Sequence, residues 1–310
     1  MNSRTQELTF GAMIIAIFGV LLVMNRQTAG LFEEMFFFIL PIPMTVFSLK
    51  YGWKDSLSVF VCMVLLSVFL GTLYTVFYAA VDAGLGIVLG TCLKNKVELN
   101  RTQLLIMALS AVFSLVGSVA LATVFGIDLN AQIQEMQTMM NNMFRNAGID
   151  TSAAGQLLSK ASLLRMYVVS MGVMGIVQGF IIFRLSLLIL KRLRLPVPSP
   201  QPIGLYFPPR WSGYAALVVF FLYTWSMEKP LGNEPVQNIM QTVGMCGYLY
   251  LLIFGWIGIS IVIRKYVSGM AGRILAMIAA LFLIMAIPFA VVVIGFLYIS
   301  TDFHARILRR

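Results

Sequence analysis

Charge is what this sequence has least of. Lys, Arg, Asp and Glu together make up 11% of its 310 residues, against about 25% in ordinary water-soluble domains. So little charge cannot solvate the surface of a chain this long in water. Histidine occurs once, at His304, which excludes a histidine-built metal centre or a Ser-His-Asp triad. The cysteines Cys62, Cys92 and Cys246 all lie in apolar stretches, so neither a disulfide framework nor a thiolate metal site is expected. A glycine-rich phosphate loop closed by Lys and Ser or Thr is missing too, which removes ATP hydrolysis by that route. The expectation is a protein that is not an enzyme and carries no metal and no cofactor.

What is there is apolar. Hydrophobic residues make up 60% of the chain, and the mean hydropathy is +0.91. The solvent this composition fits is lipid, and the expected fold is all-α, a polytopic transmembrane helix bundle. A membrane-crossing helix needs roughly 20 apolar residues. The first such run is Leu8–Met24, read as retained because only Asn25, Arg26 and Gln27 follow it, not a small-residue cleavage site. The second, 35–49, holds Pro41 and Pro43, which predicts a kink or a partly unwound helix. Residues 56–93 are too long for one crossing and divide near Gly71. Gln103–Phe125 and Ser162–Leu190 complete a six-helix core over 1–195, with a polar outer segment at 126–161.

Six prolines between 196 and 209 mark an extended cytoplasmic linker. Beyond it, 210–310 carries two to four further membrane helices: Trp211–Met227, Val236–Ile263 and the run Ile274–Ser300. The last run reads either as one crossing or as a hairpin broken at Pro288, with arms of about 14 residues.

The net charge of +10 does not point to nucleic acid, which would need a basic face with interleaved aromatics. The basic residues instead sit in short clusters between apolar runs: Lys50 and Lys54, then Lys94, Lys96 and Arg101, then Lys191, Arg192 and Arg194. By the positive-inside rule these loops are cytoplasmic, which puts the N-terminus in the cytoplasm.

Few residues can carry chemistry here. Asp82 lies in the middle of the fourth span, where an ionised side chain costs at least about 2.5–3.5 kcal/mol and normally faces a partner or a polar cavity. It fits a ligand, ion or proton site, or a helix-packing residue that accepts hydrogen bonds. Arg184, an intramembrane charge in the sixth span, either pairs with Asp82 or snorkels to the inner interface near Lys191. Glu33 and Glu34 stand at the outer mouth of the second helix, either holding a cationic solute or simply favoured there by the helix dipole. The outer segment 128–146 reads as an amphipathic helix, with Leu129, Ile133, Met136, Met140 and Met143 on its apolar face and Asp128 as N-cap. It either rests on the bilayer or closes over an outward-facing cavity. Ala12 and Ala16 form a small-xxx-small pair for a close helix contact, within the chain or with a partner.

Taken together, several stretches resemble the YybS family of multi-pass bacterial membrane proteins. They are Leu8-Thr9 with Ala12 and Ala16, Leu40-Pro41-Ile42-Pro43, Lys50-Tyr51-Gly52-Trp53-Lys54, the glycines Gly84, Gly86 and Gly90, and the tail from Gly295 to Asp302 with Arg306. The six-helix part is also similar, more distantly, to the S-components of energy-coupling-factor transporters. That likeness implies capture of a small solute from outside by loops around 25–35, 71–73 and 126–161. It also implies docking of Ala12 and Ala16 on a coupling membrane subunit. The region 196–310 departs from that pattern. The reading is therefore a bacterial inner-membrane protein that binds or helps import a small solute, with a non-transporting scaffold for envelope proteins as the alternative.

Overall fold

The computed structural model describes residues 3–28, 30–31, 33–124, 126, 129–146, 159–198, 208–229 and 233–301. Among them all regular structure is helical. The chain divides into two compact units, Met1–Pro200 and Gln201–Arg310.

The first unit contains α1 (Ser3–Gln27), α2 (Glu33–Ile39), α3 (Pro41–Tyr51), α4 (Trp53–Leu70), α5 (Leu73–Lys94), α6 (Leu99–Val124), α7 (Leu129–Asn146) and α8 (Lys160–Arg192). The second contains α9 (Arg210–Glu228), α10 (Glu234–Tyr266), α11 (Met270–Ala286) and α12 (Pro288–Ser300). Among the described residues α1, α4, α5, α6, α8 and α10 are each long and apolar enough to cross a membrane. The pair α11–α12 passes the same test jointly but is bent by 112° at its break. The protein is a polytopic membrane helix bundle.

The breaks have local causes. Pro41 opens α3 at a position where a missing N–H costs nothing, while Leu40 still closes the last turn of α2 through its N–H to Phe36 O at 2.9 Å. The expected kink is thus a clean break into two short helices. Gly71 separates α4 from α5, and a Cβ there would lie 2.8 Å from Ser67 O. Thr72 then starts α5 with a reciprocal cap, Thr75 N–H donating to Thr72 Oγ1 at 3.2 Å and Thr72 N–H to Thr75 Oγ1 at 3.3 Å. Gly52, at φ +103°, makes the α3–α4 turn with a backbone that L side chains rarely adopt. Pro288 begins α12 directly after the 112° break.

Glycine sets the packing of the first unit. Gly86 and Gly90 of α5 seat on α3: a Cβ would fall 2.4 Å from Pro41 O at the first and 2.6 Å from Thr45 O at the second. Ser48 of α3 then donates to Ile87 O across the same seam, at 3.0 Å. Gly175 and Gly179 of α8 seat on α6 in the same manner, 2.6 Å from Ala111 Cα and 2.8 Å from Met107 Cα. Such pairs let helix backbones approach without side chains between them. Gly84 and Gly172, by contrast, face open space. The buried apolar side chains form two clusters, one among α1 to α5 around Phe18, Met44, Phe47 and Met63, the other joining α3, α5, α6 and α8 around Leu85, Ile106 and Phe183.

Leu195 and Val197, at the head of the proline-rich stretch, pack against that second cluster rather than standing clear of it. In the second unit α9, α10 and α12 enclose a core of Phe220, Leu251, Val292 and Tyr298. Most of α11 lies outside this core, with Met270, Leu275 and Phe282 among its exposed side chains. Arg273 anchors its start by donating to Val267 O, at the cap of α10, at 3.0 Å and to Arg264 O, in its last turn, at 3.2 Å.

Candidate functional site

Asp82 occupies the tenth of 22 positions in α5 and is 0% exposed. Its Oδ1 accepts a hydrogen bond from Gln178 Nε2 of α8 at 3.4 Å. Its Oδ2 is buried and has no hydrogen-bond partner among the described residues. Depth follows from the packing. Gly86, one helical turn further along α5, sits against the Pro41 carbonyl, so the carboxyl lies close to the depth at which α2 breaks into α3. On the α6 side, Ser110 lies against both Gly175 and Gly179, the residues bracketing Gln178, and its Oγ is buried without a hydrogen-bond partner among the described residues. Ser114, one turn along, donates to Met171 O at 3.0 Å. An acid and an amide thus meet between α5 and α8, and a buried hydroxyl of α6 lies beside the same stretch of α8. They can accept a proton, a cation or the donors of a polar solute.

Arg184 does not join this group. It lies six residues beyond Gln178 on α8, about 9 Å along the axis, toward the end that carries Lys191 and Arg192. Its guanidinium stacks over the Phe180 ring at 5.3 Å, and no ion pair links it to Asp82. Among the described residues the hydrogen-bond donor to Asp82 is Gln178. A lone neutral amide inside a long apolar run was the available signal, and charge counting passes over it. Glu33 and Glu34 open α2, and their side chains lie outside the described residues. Asp128 also lies outside them.

α7 is a helix over most of the expected range and packs against α8. Ile133 is buried, and Met136, Met140 and Phe144 are half-buried. Met143, which the sequence puts on the same apolar face, is 71% exposed. Phe144 is half-buried because it falls eleven residues after Ile133, three full turns of a 3.6-residue helix.

Ala12 and Ala16 are both exposed on α1. The internal contact that a small residue permits is made one position earlier, by Gly11, where a Cβ would lie 3.1 Å from Val59 and 3.4 Å from Phe47. Ala12, Ala16 and Gly19 instead line an open apolar groove of about 630 Å³, walled by Leu66 and Leu70 of α4.

One end of this unit is basic. Lys50 Nζ stands 4.6 Å over the Phe10 ring, and Lys94 Nζ lies beside Gly52, so the α1 start, the α3–α4 turn and the α5 end share one level. The α5–α6 turn adds Lys96, the first turn of α6 adds Arg101, and the α8 end adds Lys191, Arg192 and Arg194.

A family model described as a predicted membrane protein, DUF2232, matches residues 14–297, and the chain belongs to that family. No curated protein matches, and no solved structure matches.

Proposed function

We propose that this member of the DUF2232 family binds a small polar or cationic solute within the membrane, at Asp82 and Gln178, and takes part in its import. The observation that carries the reading is a fully buried carboxyl with one oxygen unpartnered among the described residues, at the depth of a broken helix. Ionisable groups at mid-membrane are costly and tend to mark solute or ion paths, and interrupted helices are where such paths commonly lie. The resemblance of the six-helix part to S-components, read from the sequence, points the same way. The proposal includes a bacterial inner-membrane location with the N-terminus in the cytoplasm, supported by the clustering of Lys50, Lys54, Lys94, Lys96, Lys191, Arg192 and Arg194 toward one end of the first unit. It also includes the absence of catalysis by the chain itself.

Native mass spectrometry of the full chain, gently extracted from its own membranes, tests the proposal. A small molecule retained in stoichiometric amount by the wild type and lost from Asp82→Asn supports it. An empty wild-type protein sinks it.

A second reading rests on the exposed groove at Ala12, Ala16 and Gly19, which fits a partner helix. In that case the chain is a scaffold for envelope proteins, and it leaves the membrane with a protein partner and no solute. The two readings combine if the partner is a coupling subunit.

A further inference from the structure

We propose that α7 binds a soft monovalent metal cation, Cu(I), through a stripe of methionine thioethers. Four of the 18 residues of α7 are methionine: Met136, Met139, Met140 and Met143. At about 100° per residue they fall within an arc of about 100° on one side of the helix. Met136 is three residues from Met139 and four from Met140, and Met143 is four from Met139 and three from Met140. Side chains at these spacings are about 5–6 Å apart at Cβ, close enough for flexible thioethers to converge on one ion. Thioether sulfur is a soft ligand that selects Cu(I) over harder cations.

The stripe straddles the boundary between the covered and the open side of the helix. Met136 and Met140 are half-buried, while Met139 and Met143 are 57% and 71% exposed. Two of the four side chains are thus partly covered, and two are open to the surroundings. Ile133 and Phe144 anchor the helix on either side of the stripe. The nearest positive charge on α7, Arg145, lies nine residues after Met136, which is half a turn round the helix and therefore away from the sulfurs. Glu135 is the only other charged side chain of α7.

The same residues fit poorly to a helix lying on lipid. A surface helix typically carries Leu, Phe or Trp on its apolar side and Lys or Arg on its polar side. Here the polar side is built from Gln, Asn and Thr, and methionine takes positions that leucine fills elsewhere in this leucine-rich chain. This inference stands on α7 alone and is independent of the Asp82 site.

The test uses the full chain in detergent under anaerobic conditions, with Cu(I) supplied alone and contested by a chromogenic Cu(I) chelator. Wild type is expected to retain one Cu(I) per chain. The double variant M139L/M143L changes only exposed positions, and leucine equals methionine as a helix former, so circular dichroism stays unchanged. Its Cu(I) affinity is expected to fall beyond the roughly 10–100-fold that loss of an outer-shell partner costs. A variant with Cys62, Cys92 and Cys246 all changed to Ala is expected to bind like wild type. No Cu(I) on the wild type, undiminished binding by M139L/M143L, or loss of binding in the cysteine variant would each overturn the proposal.

Discussion

A buried carboxylate oxygen with no hydrogen bond costs a protein on the order of 1–3 kcal/mol, more when it is charged. Asp82 carries such an oxygen, and its one hydrogen bond among the described residues comes from Gln178. Gln178→Leu leaves both oxygens without a donor, so it is expected to lower stability by about 1–3 kcal/mol, read by thermal unfolding in detergent. Asp82→Asn keeps an acceptor facing Gln178 and is expected to fold, with solute retention lost. If both variants bind and melt like wild type, Asp82 is only a packing residue. The residue scale is also where expectation and structure part most clearly. Arg184 carries the formal charge that invites pairing with Asp82, yet an uncharged amide six residues earlier is the group at the right depth.

Among helices, the deciding quantity is the space available for one Cβ. Gly90→Ala places a methyl 2.6 Å from the Thr45 carbonyl, and overpacking of that kind is expected to cost about 1–3 kcal/mol. Gly84→Ala, six residues earlier on the same helix, meets open space. It is expected to be neutral or to stabilise by up to about 1 kcal/mol through helix propensity. Equal melting temperatures for the two variants would contradict the α3–α5 seam. Ala12→Leu combined with Ala16→Leu fills the exposed α1–α4 groove without touching an internal contact, so thermal stability should hold. Blue-native electrophoresis should then show any partner complex dissolved, and an intact complex would remove the groove as its docking surface. The helices themselves were largely legible, because apolar runs, prolines and Gly71 mark them along the chain. The partners of each helix face were not: Ala12 and Gly11 are neighbours, and only packing sends one outward and the other inward.

For the molecule as a whole, the charge distribution makes orientation testable. In a background lacking the three cysteines, Lys54→Cys at the basic end and Arg145→Cys on α7 provide two exposed labels. A membrane-impermeant maleimide added to intact cells is expected to label Arg145→Cys and spare Lys54→Cys. The reverse pattern would invert the proposed orientation. The division into two units falls after Pro200, within the proline-rich stretch, although Leu195 and Val197 already pack on the first unit.

The amino-acid sequence by itself determined the solvent and the architecture. Sparse charge and long apolar runs suit only lipid, and in lipid the backbone must satisfy its own hydrogen bonds, which makes each run a helix. It also placed the breaks, since proline lacks an N–H and glycine tolerates turns that other residues resist. Tertiary structure alone decided which side chains meet. Gln178 reaches Asp82, Gly86 and Gly90 seat on α3, and Ala12 and Ala16 face outward, because helix rotation and register are set by close contacts between residues far apart in the chain. Those contacts depend on ångström-scale fit at particular glycines, which hydropathy along the sequence does not encode.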